Sequence, residues 1–231
     1  MVWGNAAICG AVSPDEAADR VTGPTDASHR MFGLPGEDAG VSLPYALARL
    51  PGLGVTGLRL VVPRPGDAHG LPGPPAFNER AVAAGAAALT QGTVALGLVD
   101  ETRGAWTAHR VETAGRPAAA LADAEKDLHR VVRTAAARLV HLDVARWHPA
   151  AVEVLAHQAA NGSGPLPRTT DPRAGVVIDT ALRLLSVVEV AGRDDGAAVS
   201  AAEMAARRDV LREIDAAARR ALEAACSERL G

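Results

Sequence analysis

The sequence predicts an α+β fold in which a small sheet of about three strands packs against a predominantly helical C-terminal half. Three observations lead to this prediction. Short alternating apolar segments fall between residues 55 and 112, helical patterns alone follow residue 117, and turns rich in proline and glycine separate the segments. The chain has 231 residues, of which 48% are hydrophobic and 22% charged, so it is long and apolar enough to bury a sizeable core.

Composition divides the chain into three regions. Residues 1–40 are expected to form an acidic, loop-rich N-terminal arm, with a short helix where Ser13 and Glu16 make a capping box. Residues 41–115 are expected to form a small α/β sheet part. Residues 117–231 are expected to form a helical part, joined with 41–115 in one compact unit.

The sheet part alternates helical and strand patterns. The predicted elements are a helix over 42–50, strands over 55–62, 93–99 and 105–112, and a helix over 76–89. The tight turn over 100–104 makes the last two strands antiparallel. The pattern leaves open whether the first two strands are parallel or antiparallel. Gly85 within the second helix indicates close packing of that helix on the sheet.

Four helices are predicted in the C-terminal part, over 117–145, 149–159, 171–190 and 201–225, the last preceded by Ser200 in a capping box with Glu203. The helix after Pro172 is apolar nearly all round, so we expect it at the centre of the core. Leu211, Ile214, Ala218, Leu222 and Ala225 give the last helix a buried stripe. Its interleaved basic and acidic residues indicate a solvated face.

Charge and residue usage exclude several classes of partner and cofactor. The net charge of −3 and the 3% of aromatic residues argue against nucleic-acid and membrane-surface binding. The two distant cysteines, Cys9 and Cys226, and the absence of a signal-peptide pattern predict a cytoplasmic protein with free thiols. Gly52, Gly54 and Gly57 match GxGxxG, but a helix precedes them and a strand follows, so no dinucleotide or other cofactor is predicted.

The proline-rich loop over residues 63–75, directly after the first predicted strand, is the first candidate site. Loops that leave the carboxyl ends of strands often hold ligands in α/β proteins. Asp67 and His69 have the spacing of a base and its orienting group, and Arg64 and Asn78 are natural neighbours for an anionic ligand. The alternative is a Pro-Gly-Asp turn beside an exposed histidine.

A second candidate is a metal site built from carboxylate–imidazole pairs on helices. Glu125 with His129 and Glu153 with His157 each stand four residues apart. Bundle metal sites use inward Glu and His ligands, commonly three residues apart, whereas pairing on a helix surface explains both pairs without a metal. No metal is therefore predicted.

Several stretches resemble an uncharacterised protein family of GC-rich actinobacteria. They are the proline-rich loop with Phe77 and Asn78, the stretch Leu142-Asp143-Val144-Ala145-Arg146-Trp147-His148-Pro149, and the closing helix over residues 201–225. The resemblance covers about the last three quarters of the chain. It implies a cytoplasmic protein with a recurrent proline-rich loop, and it carries over no established activity and no functional residues.

Two functions from different classes follow. The first is a non-enzymatic binding or scaffold protein with an unidentified protein partner, because the titratable residues do not converge on a known catalytic constellation. Its binding surface would be the acidic arm or the proline-rich loop. The second is a small-molecule binder or enzyme that uses Arg64, Asp67 and His69.

Overall fold

The chain forms two compact units in a computed structural model that describes residues 1–23, 29–68, 70–102, 104–112, 118–141, 164–192 and 201–227. The sheet unit holds Met1–Ala118 together with residues 166–171, Cys226 and Ser227. The helical unit holds the described parts of 119–165 and 172–225. Its first described helix begins just after the boundary between the units.

The sheet unit contains four helices and six strands among the described residues. The helices are α1 (Val2–Ile8), α2 (Pro14–Thr22), α3 (Leu43–Gly52) and α4 (Pro75–Ala84). The strands are β1 (Arg30–Phe32), β2 (Val41–Ser42), β3 (Val55–Val61), β4 (Ala87–Gly92), β5 (Leu96–Asp100) and β6 (Ala105–Arg110). Together they form one mixed sheet in the order β2-β1-β6-β5-β4-β3, in which only the β1–β6 pair is parallel.

The prediction of a sheet of about three strands is therefore wrong. β3, β5 and β6 correspond to the three predicted strands, and the antiparallel hairpin of β5 and β6 is confirmed. β1 and β2 lie at the end and just beyond the end of the predicted N-terminal arm, which also contains α1 and α2. Ala6 and Ala17 of those two helices are completely buried.

β4 is the strand that was predicted as helix. α4 ends where Gly85 adopts a left-handed conformation, with φ of 77°, and its N–H donates to the Val82 carbonyl. Gly85 thus ends the helix, and the side chains that pack α4 on the sheet are Phe77 and Ala81. The following residues, Ala87 to Gln91, lack β-branched side chains apart from Thr90, so local propensity favoured helix until pairing with β3 and β5 decided the structure.

Two apolar clusters pack on opposite faces of the sheet. Alternate residues of β3, β4 and β5 point to each face, as a strand requires. One cluster joins α1, α2 and α3 to sheet residues such as Leu58 and Leu96. The other joins Phe77 and Ala81 of α4 to Val61, Leu89 and Val99. α4 and the proline-rich loop before it therefore belong to the second face.

Three helices form the described part of the helical unit, namely α5 (Leu121–His141), α6 (Pro172–Ala191) and α7 (Ala201–Cys226). The predicted apolar stripe of α7, over Leu211, Ile214, Ala218, Leu222 and Ala225, is buried and confirmed. α6 buries Ala174, Val177, Ile178 and Ala181 but leaves Val176 64% exposed, so it is not apolar core on every side. The predicted helix over 149–159 lies outside the described residues. Within the described ranges, no helix is both long and apolar enough to cross a membrane.

Candidate functional site

The proline-rich loop begins with a tight turn that brings Arg64 and Asp67 together. The Arg64 N–H donates to the Asp67 carbonyl at 3.0 Å, and the Asp67 N–H donates to the Arg64 carbonyl at 2.9 Å. Pro65 and Gly66 occupy the turn, and the φ of 81° at Gly66 suits glycine in the third position of a type II turn. Two members of the predicted site are thus held side by side by their backbones.

The far end of the loop uses Asn78 for its own structure. The Asn78 Oδ1 accepts a hydrogen bond from the Gly73 N–H at 3.0 Å. Arg59 of β3 is 3% exposed, and its Nη2 donates to the Gly70 carbonyl at 3.1 Å. Polar groups of the sheet unit therefore fix the loop from two sides, as buried polar groups require.

The structure brings together only part of the predicted loop site. Arg64 and Asp67 are adjacent, whereas Asn78 lies in α4, after the loop, and accepts a hydrogen bond from Gly73. His69 lies outside the described residues. The loop site of Arg64, Asp67, His69 and Asn78 therefore stays a prediction.

A charged groove lies on the surface of the helical unit and has a volume of about 280 Å³. We call it the basic groove. Its lining consists of Ala122, Glu125, Lys126, His129, Arg133 and Arg173.

The helical repeat of α5 places five of the six lining residues on one face. Each of positions 122, 125, 126, 129 and 133 has another of them three or four residues away, which keeps them on one side of the helix. The apolar residues Leu121, Leu128 and Ala135 lie on the opposite side and are buried. Arg173 comes from the first turn of α6 and completes the groove.

Cationic side chains dominate the electrostatics of the basic groove. The Arg173 Nε lies 2.6 Å from Oε2 of Glu125, in a charge-assisted hydrogen bond. Among the described residues, Lys126 and Arg133 form no ion pair. Three cations and one carboxylate leave the groove with a net formal charge of +2 when His129 is neutral. The groove is thus suited to an anion, although the whole chain is slightly acidic.

This geometry does not support a metal site at Glu125 and His129. The Glu125 carboxylate is bound to a guanidinium, which repels a metal cation. Within the described part of the chain, no group of three or more His, Cys, Asp or Glu residues is placed to hold a metal ion. Glu153 and His157 lie outside the described residues.

The two cysteines are free and differ in exposure. Cys9 is exposed, whereas Cys226 is buried. Burial raises the pKa of the Cys226 thiol to about 11. The thiolate is the nucleophilic form, so Cys226 is a poor nucleophile at neutral pH.

Sequence reasoning found Glu125 and His129 but missed Lys126, Arg133 and Arg173. Lys126 and Arg133 could have been found, because they share the helical face of the Glu125–His129 pair. Arg173 could not have been found, because no local sequence pattern indicates that the first turn of α6 lies near Glu125.

The two units define an α+β protein with a mixed-sheet part and a helical part that carries a basic groove. Family models match the same two parts: that for the Rv1486c-like protein N-terminal domain matches residues 1–124, and that for the C-terminal domain matches residues 122–223. The chain belongs to this Rv1486c-like family, which agrees with the expected resemblance at the level of a family. The matches begin at residue 1, well before the last three quarters covered by that resemblance. No curated protein and no solved structure matches the chain.

Proposed function

We propose that this protein is a non-enzymatic binding protein and that the basic groove of its helical unit holds an anionic ligand. The observation that carries the proposal is the set of three cations around one groove, with one carboxylate paired to Arg173. The non-enzymatic part rests on the sequence, in which titratable residues do not converge on a known catalytic constellation.

The fold supports this placement of the ligand. Lys126 and Arg133 stand on one α-helix with a buried opposite face, so their positions are set by a rigid element and not by a loop. An anion between them would replace water around two cations that have no described carboxylate partner. Since the groove is open to solvent, added salt should weaken the attraction.

The proposal also includes the cellular compartment of the protein, its source organism and the class of its partner. We place the protein in the cytoplasm, which is supported by its two free cysteines. A GC-rich actinobacterial source is supported by the single lysine, Lys126, among 24 basic residues. A protein partner could present the anionic group as well as a small molecule could, whereas the net charge of −3 disfavours nucleic acid.

Isothermal titration calorimetry at low ionic strength tests the proposal with inorganic pyrophosphate and with suberate, a linear dicarboxylate. We expect saturable binding of at least one of the two, weakened about tenfold in Lys126→Gln/Arg133→Gln because two charge contacts are lost. Arg130→Gln is the matched control, since Arg130 lies on the same helix, pairs with Asp127 and does not line the groove.

The proposal fails if neither anion gives saturable heat, or if the double variant binds both as tightly as the wild type does. Circular dichroism of each variant shows whether its helices are intact. Because both substitutions are on the solvent-exposed side of α5, the fold should be retained.

A further inference from the structure

We infer that His129 binds the anionic ligand directly as its charged imidazolium, so that the basic groove takes up a proton with the ligand and binds the ligand more tightly as the pH falls. In this form, which rests on the proposed function, His129 is a third ligand-binding residue of α5 and makes the same groove sensitive to pH.

His129 lies between the two cations that α5 contributes to the groove. Lys126 precedes it by three residues and Arg133 follows it by four, and side chains at these spacings are neighbours on a helix surface. At about 100° per residue, the three side chains leave α5 within about 60° of each other. An anion that contacts both Lys126 and Arg133 therefore passes next to the imidazole ring.

The imidazole of His129 is available to such a ligand. Its spacing from Glu125 would allow the two side chains to pair on the helix surface. In the structure, however, Oε2 of Glu125 accepts a hydrogen bond from the Arg173 Nε at 2.6 Å. His129 is exposed and, throughout the ranges that the structure describes, its side chain forms no hydrogen bond or ion pair.

An anion beside His129 favours the protonated ring for two reasons. The negative charge of the ligand attracts the imidazolium and not the neutral imidazole. In addition, both ring nitrogens of the imidazolium are donors, whereas the neutral ring has one donor and one acceptor. A carboxylate or phosphate oxygen can only accept, so it complements the imidazolium better.

The charged groups that line the groove with His129 come from two helices. Glu125, Lys126 and Arg133 stand on α5, and Arg173 comes from α6. Carboxylate, ammonium and guanidinium groups normally keep their charge between pH 5 and 8, whereas imidazole is the side chain that normally changes its charge in this range.

Charged groups of α7 reach the other side of α5. The Arg220 Nη2 lies 3.3 Å from Oδ2 of Asp127, and Oε1 of Glu213 lies 2.7 Å from the Arg138 Nη1. Asp127 and Arg138 leave α5 about half a turn away from His129, and none of these four residues lines the groove. Groups that face His129 are therefore those of the groove itself, as far as the described residues show.

The sign of the pH dependence follows from proton uptake. A neutral imidazole nitrogen of His129 accepts one proton from the solvent when the ligand binds. Because binding consumes a proton, a higher proton concentration favours the bound state. The affinity should therefore rise as the pH falls from about 8 to about 6.

Isothermal titration calorimetry of wild type and His129→Gln at pH near 6 and near 8 tests this role at constant ionic strength. The probes are suberate and inorganic pyrophosphate. The ratio of the two dissociation constants at each pH cancels the ionisation of the probe itself. For a probe that binds, we expect His129→Gln to bind about fivefold more weakly than the wild type near pH 6 and about equally near pH 8, since only the imidazolium adds a charge contact.

Two further variants separate the charge of His129 from other effects. His129→Lys keeps a positive charge at both pH values, so it should bind the probe about fivefold more tightly than the wild type does near pH 8. His109→Gln is the matched control, because His109 is the histidine of β6 that pairs with Glu101 and it does not line the groove. This control should keep the pH dependence of the wild type.

A ratio of wild type to His129→Gln that is the same at both pH values, or an equal change in His109→Gln, would overturn the role of His129. The proposed function would still stand in that case, provided that Lys126→Gln/Arg133→Gln weakens the binding. Absence of saturable binding of both probes at both pH values would overturn the two proposals together. Circular dichroism of each variant shows whether its helices are intact.

Discussion

The sheet unit and the helical unit differ in what they do with polar side chains. In the sheet unit, the neutral side chain of Asn5 covers the open edge of β3: its Oδ1 accepts from the Leu58 N–H at 2.6 Å, and its Nδ2 donates to the Leu58 carbonyl at 3.0 Å. The Ser227 Oγ accepts from the Leu60 N–H at 3.0 Å on the same strand. These polar groups complete the fold, which protects an edge strand from pairing with another chain.

The helical unit buries several charged side chains in one helix and presents others at its surface. Arg207, Arg219 and Glu223 of α7 are each less than 9% exposed. On its surface, Lys126 and Arg133 are left without a described partner in the basic groove. The comparison teaches where to seek function: cations that complete no fold contact are the ones available to a ligand.

Phe77→Ala should have the largest effect and tests the apolar core of the sheet unit. Phe77 is 1% exposed and packs with Val61, Leu89 and Val99. Truncating it should lower the free energy of unfolding of the sheet unit by about 3–5 kcal/mol. Urea denaturation followed by circular dichroism measures this, with Phe32→Ala as control, because Phe32 is 41% exposed and should cost no more than about 1 kcal/mol. Equal losses in the two variants would contradict this account of the core.

Arg219→Met should have the second-largest effect and tests the buried charge of the helical unit. The Arg219 Nε lies 2.7 Å from Oδ2 of Asp215, and the Arg219 side chain is 7% exposed. Removing the cation takes a charged hydrogen-bond donor from the Asp215 carboxylate, whose side chain is 19% exposed, so we expect a loss of about 3 kcal/mol. Arg212→Met is the control on the same helix, because the Arg212 side chain is 77% exposed and should change stability by no more than about 0.5 kcal/mol. A loss in Arg219→Met as small as in the control would show that the buried ion pair adds no stability.

Asp127→Asn should have the smallest effect on the free energy of unfolding, and this effect should depend on pH. Hydrogen bonding from Arg130, followed by that from Arg220, holds the pKa of Asp127 below its usual range. A lowered pKa in the folded state stabilises the fold above the unfolded pKa of about 4, and this contribution is lost as the pH falls through the folded value. Since the site is largely exposed, the variant should be less stable than the wild type by at most about 0.5 kcal/mol at pH near 7.

The check is urea denaturation of wild type and Asp127→Asn at several pH values. Their difference should shrink as the pH falls below about 4. A difference that stays constant with pH would mean that the carboxylate contributes no charge-dependent stability.

Local signals explain which parts of the sheet were predicted. β3 alternates clearly, and the hairpin of β5 and β6 has its turn in the sequence, where Asp100 Oδ1 accepts from the Gly104 N–H at 2.8 Å. β1 and β2 have only three and two residues, too few for an alternating pattern. β1 also pairs with β6, about 75 positions further along the chain, so the local sequence does not indicate this pairing.

The candidate site shows the same limit for charged residues. The sequence predicted a solvated face from the interleaved charges of α7, and that expectation is wrong for Arg207, Arg219 and Glu223. Helical spacing shows which residues share a face, but not whether another element packs on that face. For the same reason the spacing of Glu125 and His129 identified a charged face of α5 and could not reveal Arg173 beside it.

The most direct test of the central claim is an NMR titration of the isotopically labelled full chain with suberate. We expect saturable shifts of backbone amides in α5 around Lys126, His129 and Arg133 and at the start of α6 around Arg173, and we expect Lys126→Gln/Arg133→Gln to abolish them. Shifts confined to the proline-rich loop around Arg64 and Asp67, or the same shifts in the double variant, would contradict this claim.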